Sequence, residues 1–231
     1  MVLNINRLKK AEILWLANHY CRHGHTFLEH PICFEKEKPK TSPIYEKIGF
    51  LDIESGGSLT GEFGYVFSYC IKEFDKNKIC KRLIKPEEIK NKHIRDKNVI
   101  KQFCNDVRQF DVIVVYYGKD YRNRHDLPFL RTRAVKWEIK NFPLWKEKHV
   151  IDVYDIIKSK FKLYKNRMED ACRIFNIPCK AHPLNPDVWQ DALAGDVKAL
   201  NYILAHNIED VLSLEKLYKK VIIYKETRTT T

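Results

Sequence analysis

The sequence predicts an α/β domain preceded by a small helical appendage rich in cysteine and histidine. Three observations predict it. Residues 48–54, 65–74 and 78–84 are β-patterned runs joined by short connections, the pattern of an antiparallel meander. After them, strand-length apolar runs at 111–118 and 149–153 alternate with segments of helical period. Ahead of them, residues 21–33 read CRHGHTFLEHPIC, five Cys and His in thirteen positions.

At 231 residues, 44% hydrophobic and 12% aromatic, the chain can bury one sizeable core. Forty-two Lys and Arg against 30 Asp and Glu give a net charge of +12. That balance favours an anionic partner, nucleic acid above all; a lysine-rich solvated surface is the plainer reading of the same number. No segment approaches the ~18 apolar residues of a membrane span. The first apolar run, residues 13–17, is too short for a signal peptide. Seven cysteines form no secreted framework, so a reduced, cytoplasmic protein is expected.

Residues 4–20 read as a helix, with Leu8, Ala11, Ile13, Leu14, Leu16 and Ala17 on a broad apolar stripe. The Cys/His segment that follows suits a tetrahedral zinc site. Its preferred ligands are Cys21, His25, His30 and Cys33, with His23 as the substitute for His25. The spacing is not a standard finger spacing, and a core thiol with surface histidines fits the same letters. Residues 35–40 form a charged linker closed by Thr41, Ser42 and Pro43.

Ile48 to Glu54, IGFLDIE, is a buried strand ending in two carboxylates. Strand side chains alternate, so Asp52 and Glu54 point the same way. Side by side they repel each other and resist desolvation, and a divalent cation between them removes both problems. Hard oxygen ligands suit magnesium or manganese. Two surface acids at a strand end would look the same, and the rest of the chain must decide.

The strands at 65–74 and 78–84 follow a Gly-rich turn; Pro86 opens a short helix, and 97–110 is a clearer one carrying Val99, Ile100, Phe103, Cys104 and Val107. DVIVVYYG, 111–118, reads as a central strand buried on both faces. The basic loop KDYRNRH leads to Asp126, at a helix start where Pro128 also permits a capping role. Residues 149–153 are a strand, and Asp152 and Asp155 precede a helix as capping or supporting acids. Further helices are expected over 163–175, 187–194 and 197–218, with Gly195 breaking and Asp196 capping. His206 and Asp210, four apart on the last, share a face. The domains expected are 1–43, the appendage; 44–223, the α/β domain; and 224–231, a disordered tail.

Three pieces then line up: Asp52 with Glu54, a central Asp126, and His206 with Asp210. In this order the chain resembles the ribonuclease H-like superfamily. Within it, the motifs are similar to the proofreading-type 3′-5′ exonucleases with four acids and a histidine, the DEDDh branch. FLDIE resembles their first motif, HDLPFLRTRA (125–134) the second as found in bacterial, archaeal and phage members, and HNIEDVLSLEKLY (206–218) the third in its histidine form. The resemblance covers 48–218.

It implies a mixed central sheet, three antiparallel strands followed by parallel ones, flanked by helices. It also implies a catalytic set of Asp52, Glu54, Asp126, Asp210 and His206. The four acids would hold two magnesium or manganese ions, Asp52 bridging, and His206 would orient and deprotonate water. Two metals about 3.5–4 Å apart stabilise the incoming and leaving oxygens of phosphoryl displacement, and a histidine of ordinary pKa ~6.5 accepts a proton near neutrality. The implied substrate is the 3′ end of a single strand, DNA or RNA, with no membrane partner. Asp120 competes with Asp126 but lies before the LPFL signature. Asn123 is near the second motif's usual Asn but receives no role, because its loop is unusually basic. Arg122, Arg124, Arg131 and Arg133 flank Asp126 and are expected to contact nucleic acid. A non-catalytic binder on the same fold would lack a metal ligand, and none is missing. A ribonuclease H-like endonuclease or transposase would lack this His-to-Asp spacing.

Overall fold

The chain divides into two units, Met1–Glu46 and Lys47–Thr231, in a computed structural model that describes residues 10–34, 47–119, 124–143, 149–178 and 182–225. The first nine residues, the linker expected over 35–43 and the tail from 226 lie outside the described residues. In the smaller unit, α1 spans Lys10–Asn18. Among the described residues its core is Leu16, Cys21, Phe27 and Phe34, with Trp15 and Cys33 packed against them. A core that small does not hold a fold by burial alone.

The larger unit is α/β. Strands β1 (Ile48–Gly56), β2 (Tyr65–Glu73) and β3 (Ile79–Leu83) form the antiparallel meander. Strands β4 (Val112–Val115) and β5 (His149–Asp152) extend it in parallel, giving the order β3-β2-β1-β4-β5. The helices are α2 (Pro86–Lys90), α3 (Lys97–Val107), α4 (Asp126–Lys136), α5 (Val153–Lys160), α6 (Met168–Ile174), α7 (Pro186–Ala194) and α8 (Val197–Val221). This is the expected mixed sheet, three antiparallel strands and then parallel ones, between two helical layers.

Strand alternation builds two cores. Leu51 and Ile53 face the layer holding Val99, Ile100 and Phe103 of α3, and Leu127 and Leu130 of α4. Phe50 faces the other layer, with Ile156 and Ile157 of α5 and Val211 and Leu214 of α8. Each such side chain contributes about 1.5–3 kcal/mol by leaving water. Gly195, left-handed at φ 86°, ends α7, and the Asp196 side chain accepts from Ala199 N to start α8, as the sequence suggests.

One helix is shorter than expected. Residues 163–167 are not helical; α6 begins at Met168. Tyr164, which fits the apolar pattern, is 98% exposed, and Tyr116 Oη donates to Asn166 O at 2.7 Å. That contact uses a carbonyl an earlier helix start would have turned inward. Among the described residues, no helix is long and apolar enough to cross a membrane.

Candidate active site

β1 carries the first two acids beyond its neighbour's reach. Its ladder with β4 ends at Phe50, so Asp52 and Glu54 stand past it, at the carboxyl end where open α/β sheets place their ligands. They share the face of Phe50, whose ring meets Tyr218 of α8 edge-on at 5.3 Å. A register shift between Glu54 and Ser55 then bends the strand away.

α8 supplies the opposing groups. His206, Asn207 and Asp210 are buried on its sheet-facing side. Asn207 Nδ2 donates to Asp52 Oδ2 at 2.7 Å. His206 Nε2 lies 3.3 Å from Asp210 Oδ2 and 3.6 Å from Glu54 Oε1. Ligand atoms of Glu54, His206 and Asp210 all lie within 4.8 Å of one another. His206 Nδ1 donates to the His182 carbonyl at 2.5 Å. That bond fixes the tautomer when the ring is neutral, leaving Nε2 as an acceptor turned to the acids. Glu209 in turn holds His182, accepting from its backbone N at 3.2 Å and meeting its Nδ1 at 2.6 Å.

Asp126 is the first residue of α4 and is buried. It does not cap the helix; the N-cap is His125, whose side chain makes no capping bond. Gly118, just after β4, permits this placement, since a Cβ there would stand 2.5 Å from Asp126 Oδ2.

The electrostatics are those of an unneutralised cluster. Burial pushes the Asp52 carboxyl well above the ordinary range, and Asp210, Asp126 and Glu54 push it further, against the bond from Asn207. Asp126 is raised by burial and then by Asp152, Glu54 and Asp210. Burial alone would lower His206, but Asp210 and Glu54 together outweigh it and the net shift is upward. Among the described residues, Asp126 Oδ2 and Asp210 Oδ1 are buried and accept no hydrogen bond. Oxygen donors without partners, among like charges, fit a divalent cation.

The nearby acids and arginines divide differently from expectation. Asp152 is a supporting residue: it accepts from Tyr117 N, Lys119 N, Tyr154 N and Arg124 Nη1 at 2.6–3.0 Å. Arg124, expected on nucleic acid, is instead spent on Asp152 and Asp155, both at 2.6 Å, with its guanidinium against the rings of Tyr117 and Tyr154. Arg133 is also corrected: it is 1% exposed and paired with the buried Asp96 at 2.6 Å, where no phosphate can reach it. Its position three residues after Leu130, on the buried stripe of α4, is the periodicity signal that could have shown this. Arg131 is half-buried, and Arg122, Asp120 and Asn123 lie outside the described residues. Sequence reasoning missed Asn207, His182 and Glu209; an amide on α8's apolar stripe was the one available signal.

In the smaller unit, ligand atoms of Cys21, His23, His25 and Cys33 lie within 4.8 Å of one another. The four sulfur-to-Nδ1 separations are 3.4–4.0 Å. Tetrahedral zinc with ordinary bond lengths needs edges of roughly 3.6 Å, so the donors fit. The backbone helps: Gly24 at φ 82° closes a turn in which His25 N points at Cys21 Sγ, 3.4 Å away. His30 departs from the expected set. Its Nδ1 is 2.9 Å from Cys33 Sγ, a hydrogen-bond distance, and His23 takes the corner proposed for it.

No curated protein matches the chain. The family model described as RNase_H superfamily matches residues 49–222, spanning all five strands and the residues of the site. The chain therefore belongs to the RNase H superfamily, a group that includes nucleases.

Proposed function

We propose that the protein is a metal-dependent 3′-5′ exonuclease of the four-acid-plus-histidine branch, acting on the 3′ ends of single-stranded nucleic acid. The observation that carries this reading is the meeting of Asp52, Glu54, Asp126, Asp210 and His206, from β1, α4 and α8, around Asp126 Oδ2 and Asp210 Oδ1, buried oxygens with no donor among the described residues. The four carboxylates would hold two magnesium or manganese ions. When bound, such ions neutralise charge on the attacking and leaving oxygens of an in-line phosphoryl displacement.

The chain's own residues do the rest. Asn207 fixes the Asp52 carboxylate, and Gly118 leaves room for Asp126. The His182 carbonyl accepts from the Nδ1–H of neutral His206, which leaves Nε2 unprotonated to accept a proton from water. Water oxygen bonds to phosphorus, its proton goes to Nε2, and the P–O3′ bond breaks; the terminal residue leaves as a nucleoside 5′-monophosphate, and O3′ stays on the shortened strand and takes a proton from solvent to become its new 3′-hydroxyl. We further propose that residues 44–223 carry this chemistry. Residues 1–43 would form an appendage tied by structural zinc on Cys21, His23, His25 and Cys33. A time course on 5′-end-labelled single strands of DNA and RNA, with magnesium, manganese or EDTA, tests the reading. A ladder receding from the 3′ end, abolished by EDTA, is expected; internal cuts favour an endonuclease, and binding without cleavage a non-catalytic module.

A further inference from the structure

A second concave surface lies at the far end of α4. It is a groove of about 420 Å³ between α3 and the segment that follows α4. Lys97, Lys101 and Asn105 of α3 line it together with Trp137, Lys140 and Asn141 of the segment after α4. Glu138 also lines it, leaving the lysines in excess by two.

The groove is built rather than incidental. Trp137 donates Nε1 to the buried Asp96 at 2.7 Å, and its ring lies over Arg133, 5.4 Å from centroid to guanidinium carbon, so the indole wall is fixed. Glu138 adopts φ 54°, a left-handed conformation that a non-glycine residue rarely takes. That bend returns the chain over α3, where Asn141 Nδ2 donates to Asn105 at 3.4 Å and Arg108 donates to Asn141 O at 3.3 Å. The result holds amides and lysines around an aromatic wall, the chemistry that receives phosphate and base together.

Its position gives it a role. Asp126 starts α4 and Trp137 follows its last residue. At 1.5 Å per residue the two are roughly 16 Å apart, about five steps of a nucleic-acid strand at 3.4 Å each. We infer that this groove binds the sugar-phosphate backbone of a nucleic-acid strand several nucleotides from the end being cleaved. The inference rests on the nuclease reading above.

The test uses the full chain with Lys97, Lys101 and Lys140 all changed to Gln. Binding of a labelled 20-nucleotide oligothymidylate is followed against salt in EDTA, and hydrolysis of a trinucleotide is followed in magnesium. The triple variant should bind the 20-mer about tenfold more weakly, with a salt slope smaller by about 2, since each lost single-strand phosphate contact removes ~0.7. Trinucleotide turnover should be unchanged, and the same three sites as Arg should restore the slope. Gln at Lys92, Lys162 and Lys216, exposed lysines outside the groove, should have a smaller effect. An unchanged slope, an equal effect of the control triple, or an equal loss on the trinucleotide overturns the inference and leaves the nuclease reading standing. If the unaltered protein binds no strand at all, both fail.

Discussion

Asp96 and Asp126 are the same residue type, both buried, each at the start of a helix, and their surroundings are opposite. Asp96 accepts from Arg133 Nε and Nη2, Trp137 Nε1 and Val66 N, all at 2.6–2.9 Å. Asp126 has a buried oxygen with no donor among the described residues and faces Asp152, Glu54 and Asp210. One helix serves both: α4 begins with Asp126 and carries Arg133 two turns on. Among the described residues, a guanidinium is buried beside Asp96 and no cation is paired with Asp126. Burial of charge costs several kcal/mol when uncompensated, so the surroundings of Asp126 are those that suit the cation proposed above. Lys72 with Glu215, buried at 2.6 Å, repeats the satisfied case in α8's own neighbourhood.

The largest expected effect separates the two kinds of acid. Asp52→Ala and Asp210→Ala should each abolish cleavage in folded protein while strand binding survives. Arg133→Ala should instead lower stability by about 3–5 kcal/mol, because it strands Asp96 in the core. Turnover on end-labelled strands and denaturant midpoints check the pair. Unchanged turnover in either aspartate variant would remove that residue from the metal set.

His206 comes next. Replacement by Ala should cost roughly 10²–10⁴ in rate, the size of a general-base contribution, while magnesium still binds. His206→Tyr should recover part of it, since a related branch is expected to use tyrosine there. The rate should fall as pH drops through the pKa of His206, where a protonated Nε2 can no longer accept. Its acidic neighbours raise that pKa in the metal-free protein; bound cations should lower it. A chemistry-limited rate flat between about pH 5.5 and 8 would exclude the histidine as base.

The third effect is on stability, and it tests the comparison without any substrate. Asp52 and Asp126 titrate above the ordinary carboxylate range in the folded chain. The folded state therefore keeps protons that the unfolded chain has released. This contribution is fully present below the unfolded value near 4 and is lost as pH rises through the raised values; His206, also raised, acts in the same direction above about 6.5. Metal-free wild type should thus lose Tm relative to Asp126→Asn between about pH 4 and 8. A kcal/mol is worth about 2–4 °C in a chain of this size, so several degrees are expected at pH 8. Magnesium should restore wild type far more than the variant. Parallel Tm-pH curves for the two metal-free proteins would show that Asp126 carries no buried-charge penalty.

What could be read in advance follows the same division. Asp52, Glu54, His206 and Asp210 were legible because strand alternation and helical period fix which side chains share a face, whatever else the chain does. The strands were legible for the same reason. The arginines were not. Arg131 and Arg133 are two apart on α4, and what separates them is the buried Asp96, 37 residues before Arg133. Arg124 is decided by Asp152 at the end of β5, 28 residues away. Glu209 and His182 act through a loop-to-helix contact across 27 residues that no local pattern encodes. Residues 163–167 mimic a helical stripe, yet the side chain of Tyr164 meets solvent and Asn166 is held by Tyr116.

The last prediction carries the comparison to softer donors, where the smallest effect on catalysis is expected. The smaller unit brings together two sulfurs and two imidazole nitrogens at the corners of a tetrahedron, over a core of four buried residues among those described. Oxygen clusters suit magnesium and manganese, while sulfur and nitrogen suit zinc. Protein purified without chelators or a metal-binding tag should hold about one zinc per chain, and extensive dialysis against magnesium should not displace it. Cys21→Ser with Cys33→Ser should release the zinc and expose residues 10–34 to proteolysis, because metal binding and folding of so small a core are one equilibrium. Turnover of a trinucleotide should change less than about twofold, since a closed four-ligand site has no open position for chemistry. His23→Ala should lower zinc retention more than His30→Ala, because His23 is in the four-donor cluster while His30 meets Cys33 Sγ at a hydrogen-bond distance. Elemental analysis of the four proteins decides it. Zinc near zero in folded, active wild type leaves Cys21 as a core thiol, and equal losses at His23 and His30 return His30 to the ligand set.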